Sequence, residues 1–165
     1  MSLRVNEIDW EQWQPTEHAC LCFVMHAGEI LLIRKKRGLG AGKINGPGGR
    51  LEPGETALAA ATRETQEEIG VIPTGSEQIG ELFFNFLDGY KLQVAVFAAS
   101  GCTGQLHETD EATPFWTPIS QIPYHDMWQD DPLWLPLLTA RRKFKGYFIF
   151  DKDQLLSHRV LTLAQ

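Results

Sequence analysis

The chain has 165 residues, 43% apolar and 22% charged, with a formal net charge of −6. That length fits one compact domain of roughly 100–200 residues, whose core is large enough to fold without a disulfide or a structural metal. The acidic balance excludes a general nucleic-acid binder, which needs a basic surface to displace counterions, and no run approaches the ~18 apolar residues of a membrane span.

Residues 1–17, with Trp10, Trp13 and Pro15, show no clear period and are read as a lead-in that packs a tryptophan against a domain spanning 18–165. They hold no basic stretch followed by an apolar one, which points to a cytoplasmic protein. His18 to Met25 is an apolar run, Ala27-Gly28 supplies a turn, and Glu29 to Arg34 is aliphatic, so the pair predicts a hairpin. Cys20 and Cys22 in that run, and the isolated Cys102, match neither a disulfide framework nor a C-x-x-C metal spacing and are read as reduced thiols. The stretch from Gly38 to Gly49 is too rich in glycine to hold a regular element and is read as a functional loop. It is not a phosphate-binding P-loop, because its glycine spacing is wrong and Ile44 follows Lys43 where that motif needs Ser or Thr.

Thr56 to Ile69 holds strong helix formers, with Thr56 as N-cap and Gly70 where a C-terminal cap belongs. Leu58, Ala61, Thr65 and Ile69 form the stripe expected to face the core. Leu82 to Leu87 and Leu92 to Ala98 flank Asp88-Gly89, a strong hairpin signal. Phe115 to Ile119 predicts a further strand, Leu133 to Lys143 a second helix and Tyr147 to Phe150 a last strand. The basic residues Arg141, Arg142, Lys143 and Lys145 are read as a solvated helix end. With no internal repeat, the order predicts an α+β domain with a mixed sheet and two helices.

The chemistry concentrates on the first helix. Glu64, Glu67 and Glu68 stand at i, i+3 and i+4, so their carboxylates converge on one face and repel. A divalent cation with oxygen ligands is the natural compensation, and magnesium, which is shared readily between carboxylates and phosphates, fits best. A bare acidic helix face is more often solvated surface. The Pro53-Gly54 turn into Glu55, the glycine-rich loop before it and the Arg63-Glu64 pair are unnecessary for such a surface.

Gly49, Glu55, Arg63-Glu64, Glu67-Glu68 and Gly70-Val71, at their spacing over 49–71, resemble a complete Nudix box. Thr65 is the one departure, standing where the family has an aliphatic residue, and its hydroxyl is expected to bond back to the carbonyl of Ala61. The resemblance implies a Nudix fold, an α/β/α sandwich with a mixed central sheet, and a pyrophosphohydrolase. It implies Glu64, Glu67 and Glu68 as catalytic metal ligands with the Gly48 carbonyl, Mg2+ as cofactor with Mn2+ as substitute, and Glu55 and Arg63 as a structural pair.

A longer resemblance covers most of the chain beyond residue 17 and points to the branch of the family that hydrolyses oxidised purine nucleoside triphosphates, such as 8-oxo-dGTP, to the monophosphate and pyrophosphate, sanitising the nucleotide pool. It is carried by Lys35 to Gly38, Gly40-Ala41-Gly42, Asn45-Gly46, Gln121 to Asp131, Trp134, Pro136 to Leu138 and Lys143 to Phe148. It implies that Trp128 stacks on a purine, that Asn45, Asp130 and Asp131 bond its edge, and that Phe84 and Phe86 line the pocket. It also implies a phosphate-side contact from Lys35, a further substrate contact at Gly49, and a role for Glu111 in completing the metal site or assisting the water. Two adjacent carboxyls in a poorly solvated pocket cannot both ionise cheaply, so one donates and the other accepts. Taken without the resemblance, Phe84 and Phe86 alternate as core residues do and Glu111 lies in a plain acidic loop. Leu39, Leu92 and Cys20 depart from the branch's pattern, which leaves base selectivity open. The expected partner is a small-molecule nucleotide, bound by a monomer without nucleic acid or membrane. The alternatives are a Nudix hydrolase of ADP-ribose, a dinucleoside polyphosphate or an ordinary dNTP, and a non-catalytic nucleotide-binding module.

Overall fold

The computed structural model describes residues 3–164. The apolar run after residue 17 forms β1 (Glu17–His26), which turns back into β2 (Glu29–Lys35). Ala27 and Gly28 both take positive φ, 52° and 79°, the backbone that a two-residue hairpin turn requires. Inside the glycine-rich loop the chain pairs briefly with this hairpin through β3 (Ile44–Asn45) and β4 (Gly48–Arg50). Helix α1 (Ala57–Ile69) follows, then β5 (Val71–Thr74), the hairpin β6 (Glu77–Phe86) and β7 (Lys91–Ala99), β8 (Gly101–Gly104) and β9 (Ala112–Pro118). Helix α2 (Asp131–Thr139), β10 (Phe144–Asp151) and β11 (Gln154–Thr162) close the chain.

The main sheet runs β11-β10-β6-β7-β1-β2-β3, with β4 added to β1 and β9 to β2. It is mixed, because β1 lies parallel to β7 and β10 parallel to β6 while the hairpins are antiparallel. Strand alternation divides the core into two layers. Phe23, Met25, Ile30 and Leu32 face one way and pack with Trp134, Leu135 and Leu138 of α2. Cys22, Val24, Leu31 and Ile33 face the other way and pack with Ala60, Ala61 and Ile69 of α1. The sheet is thus held between the two helices, which is the α/β/α sandwich.

Four details differ from the sequence reading. Leu58 is 47% exposed, and the buried stripe of α1 starts one residue earlier at Ala57, whose small side chain lets the first turn approach the sheet. Helix α2 ends at Thr139 because Arg141 adopts a left-handed φ of 55°, so the basic run follows the helix and begins β10. There Arg141 meets Glu77 and Lys145 meets Glu81 at the surface. The small β5–β8 ribbon and the edge strand β11 were unpredicted. No described helix is long and apolar enough to cross a membrane.

Candidate active site

A single cleft of about 540 Å³ runs across the sheet between the glycine-rich loop and the β6–β7 hairpin. Its two ends differ in chemistry.

At one end, α1 presents its acidic face to β4. The helix is fixed at both termini: the Thr56 hydroxyl accepts from Ala59 N–H at 3.1 Å, and Gly70 takes a left-handed φ of 83° with its N–H on the Gln66 carbonyl. Thr65 donates to the Ala61 carbonyl at 2.7 Å within the buried face. Glycine at 48 and 49 is required by space. A Cβ on Gly49 would lie 2.5 Å from the Glu64 carboxyl carbon, and one on Gly48 would collide with the Cys20 carbonyl. Gly48 N–H also donates to Glu68 Oε1 at 3.3 Å.

Glu64, Glu68 and Glu111 each place a carboxylate oxygen so that the three lie within 4.8 Å of one another. Glu111 is brought in by the loop before β9, where Thr109 donates to the Glu68 carbonyl at 2.6 Å and accepts from Glu111 N–H at 3.2 Å. Glu68 is 4% exposed, and burial, reinforced by the neighbouring Glu64 charge, pushes its carboxyl up to about 8. Glu64 is also raised, chiefly by burial. Three crowded carboxylates, two of them holding protons above the ordinary range, form an all-oxygen donor set that suits a hard divalent cation. Glu67, on the same helix face, is half-exposed and turned instead to Arg63 at 3.2 Å.

Arg63 ties this end together. Its Nε and Nη2 grip Glu55 at 2.8 and 2.9 Å, its Nη1 reaches Glu64 at 2.8 Å, and Nη2 also donates to the Arg50 carbonyl. The Arg63 guanidinium, with the Glu52 N–H, holds the Glu55 carboxyl down at about 2. Lys35 lines the cleft nearby and donates to the Leu39 carbonyl at 2.8 Å, and its charge lowers Glu68 slightly.

At the other end the cleft is walled by Asn45, Phe84, Phe86, Trp128, Asp130 and Asp131. Phe84 stacks on Phe148 at 5.3 Å, and Trp128 stands edge-on to Phe86 and Phe150. Asp130 and Asp131 are each 2% exposed. Asp130 accepts from the Trp134 indole N–H at 2.7 Å, four residues on in α2. Burial pushes Asp130 up to about 6 and, with the Asp130 charge beside it, raises Asp131 well beyond the ordinary carboxylate range. The pair thus keeps a proton above the ordinary carboxylate range, and Asp131 Oδ2 is buried without a hydrogen-bond partner. Asn45 Oδ1 accepts from Gly46 N–H at 2.8 Å, which assigns its NH2 to donate toward the cleft. A flat, polar-edged ring would find aromatic faces, an amide donor and a carboxyl pair offering both a donor and acceptors.

The two ends are joined by Asn45-Gly46-Pro47-Gly48, in which Gly46 packs against the Phe23 ring and the Pro47 carbonyl accepts from Cys22 N–H at 2.8 Å. Cys20 lines the same wall as a free thiol, pushed up to about 12 by burial and so unreactive.

Of the residues the sequence singled out, all but Glu55, Arg63, Glu67 and Glu111 line the cleft. The first three form the bracing around Arg63, and Glu111 joins the acidic cluster. Sequence reasoning missed Tyr90, Glu17 and Arg50, which also line it, and Lys43, whose ammonium sits 5.3 Å from the Trp128 ring centroid. No local signal marks these: the pairing of β1 with β4 and β7 brings in Glu17, Arg50 and the adjoining Tyr90, and the glycine-rich loop before β3 carries Lys43. The Asp130–Trp134 contact was readable as an i, i+4 pair.

A model of the NUDIX domain matches residues 15–138. The chain is 42% identical over 142 residues to the oxidized purine nucleoside triphosphate hydrolase of Danio rerio, covering 85% of this chain and 91% of that protein. It is 40% identical over 140 residues to the protein of the same name from Mus musculus, covering 84% and 90%. Among solved structures, a mutator MutT protein from Bacillus halodurans superposes with a TM-score of 0.77 at 25% identity, over 87% of this chain and 97% of that one.

Proposed function

From the premise that the chain belongs to the Nudix family, and is therefore a hydrolase of a group whose members use divalent metal ions, we propose that it converts oxidised purine nucleoside triphosphates, 8-oxo-dGTP among them, to the monophosphate and pyrophosphate with magnesium. The observation that carries the reading is the union in one cleft of a carboxylate cluster and, at its far end, a buried carboxyl pair framed by aromatic rings. The relatives from Danio rerio and Mus musculus bear that substrate class in their names.

In this reading Trp128, Phe84 and Phe86 hold the purine by its faces. Asn45 and the protonated Asp131 donate to its edge, and Asp130 accepts. A carboxyl pair that shares a proton can serve either side of a keto–enol or amino–imino edge, which suits purines altered by oxidation. Lys35 and the Gly49 backbone face the phosphates. Glu64, Glu68 and Glu111, with the Gly48 carbonyl, would hold the cation, and Arg63 with Glu55 keeps loop and helix in register. When bound, a divalent cation neutralises charge on the phosphoryl oxygens and polarises water. The overall step adds water to one phosphorus and breaks a bridging P–O bond, the bonding electrons leaving with the displaced group, so that the products are the monophosphate and pyrophosphate. Glu67, outside the buried cluster and paired with Arg63 at 3.2 Å, is the carboxylate that accepts the proton in this reading, and it must leave that pairing to do so. The net charge of −6 and the small cleft suit a monomer acting on free cytoplasmic nucleotides rather than on nucleic acid.

The test is pyrophosphate release with magnesium from dGTP, 8-oxo-dGTP, 2-hydroxy-dATP and ADP-ribose, with Glu67→Gln as control. Preference for an oxidised purine that is lost in the variant is expected. Equal or faster turnover of ADP-ribose overturns the substrate assignment, and absence of turnover on all four leaves a nucleotide-binding module.

A further inference from the structure

Helix α1 covers only part of its face of the sheet: it packs on β1, β4, β5, β7 and β9, while the same face of β6 and β10 is left to other cover. That cover is the segment 3–16, most of which precedes the region matched by the family model. Phe83 and Asn85 alternate with the cleft residues Phe84 and Phe86 along β6, so they point to the opposite face. Trp10 and Trp13 lie there, 5.3 Å apart, with Trp10 at 4.9 Å from Tyr147 and Trp13 at 5.9 Å from Phe83, which itself stacks on Tyr147.

Three polar ties fix the segment across the sheet. Val5 N–H donates to the Ser157 hydroxyl at 3.0 Å on β11. The Trp13 indole N–H donates to Asn85 Oδ1 at 3.0 Å, between the two phenylalanines of the cleft wall. Thr16 N–H donates to the Lys91 carbonyl at 2.8 Å, and its hydroxyl accepts from Lys91 N–H. Asn85 and Lys91 are partners across the β6–β7 hairpin, so two of the three ties grip one rung. Beyond that rung stand Phe86 and Tyr90, and beside it Phe84 and Leu92, all four lining the base end of the cleft. At this rung β6 still pairs with β10, Asn85 beside Ile149 and Phe86 beside Phe150, whereas β1 pairs with β7 only as far as Leu92, so on the β7 side it is the strap that holds the hairpin end.

We propose that residues 3–16 act as a positioning strap, with Trp13 and Asn85 as positioning residues that hold the β6–β7 hairpin end in the arrangement that binds the nucleotide's base. The strap touches neither the carboxylate cluster nor the reacting groups, so its contribution goes to nucleotide affinity and not to the chemical step. The inference rests on the cleft being a nucleotide site, as proposed above.

Trp13→Phe keeps an aromatic ring, though a smaller one, and removes the donor; Asn85→Ala removes the acceptor; Asn85→Asp keeps it. With the full chain, each of the first two variants should raise KM about fivefold with kcat within twofold of the parent, the pair combined should do no more than the worse single change, and Asn85→Asp should stay near the parent. Amide exchange over 84–92 should accelerate about tenfold in Trp13→Phe while that of α1 stays unchanged. A lowered melting temperature with KM unmoved, a fall in kcat as large as the rise in KM, or unaltered exchange over 84–92 each overturns the strap's role while leaving the hydrolase reading intact. Should the parent chain hydrolyse none of the nucleotides tested, the functional reading fails, and the exchange result alone decides whether the strap orders the hairpin.

Discussion

The two ends of the cleft bury carboxyl groups by opposite means. At the α1 end, Glu64, Glu68 and Glu111 crowd together beside Arg63, and their repulsion creates a place for a cation from solution. At the α2 end, Asp130 and Asp131 have Trp134 and each other, and one proton does what a metal does elsewhere. In the proposed function, the contrast lets one cleft keep a reactive centre that exchanges its cation beside a recognition centre that does not. Metal removal and carboxyl substitution should therefore act separately.

The largest effect is expected from Glu68→Gln, which removes the buried member of the cluster: kcat should fall about 10²–10⁴-fold, while the dissociation constant of the nucleoside monophosphate, measured by calorimetry without metal, stays within about twofold of the parent. A parallel loss of monophosphate binding would mean that the two ends are not separable. Next comes Asp131→Asn, which fixes a donor where a shared proton sat. It should raise KM for the oxidised purine by roughly 10–100-fold with its magnesium dependence unchanged; a shift in the magnesium requirement would break the comparison.

A third effect is on stability against pH. Asp130 rises from 3.8 to about 6 in the folded chain and Asp131 rises further. Below 3.8 both states hold the proton and the contribution is complete; as pH climbs through about 6 the unfolded chain has released its proton and the folded chain loses that advantage. The denaturation midpoint of the parent should therefore fall between about pH 4 and pH 7, and fall less in Asp131→Asn. Glu55 works with the other sign: held at about 2 against its ordinary 4.5, it favours the fold above 4.5, and this is lost as pH drops through about 2. A parent midpoint that rises through the neutral range more than the variant's would show that Asp131 does not hold the proton. The smallest effect belongs to Thr65→Val, which removes the bond to the Ala61 carbonyl and the contact with the buried Cys22 thiol. Stability should move by less than about 1 kcal/mol with kinetics untouched, and a larger loss in a denaturation curve would mean that the hydroxyl also braces the cluster above it.

The same contrast governs how much the sequence disclosed. The metal end was legible because its information is local: Thr56, Glu64, Glu67, Glu68 and Gly70 sit on one helix whose period and caps can be counted. The base end draws on β3, β6 and the segment leading into α2, and nothing in the period of Phe84 and Phe86 separates a pocket wall from a core. Only resemblance picked those residues out. Strand β11 escaped because an edge strand carrying Gln154, Ser157, His158 and Arg159 has weak apolar alternation. Leu58 misled because helical spacing fixes a stripe's angle but not where the sheet beneath it ends.

The four residues from Asn45 to Gly48 make the cleft a ruler. Three peptide steps, at most about 10–11 Å of extended chain, separate the amide that would touch a base from the glycine whose N–H holds Glu68, and the segment is pinned midway by the Cys22–Pro47 hydrogen bond and by the Phe23 ring under Gly46. In the proposed function, base and scissile phosphate would be gauged against each other along this one inextensible stretch of backbone. Lengthening it by a single residue should spoil the match between the two centres even where each remains intact.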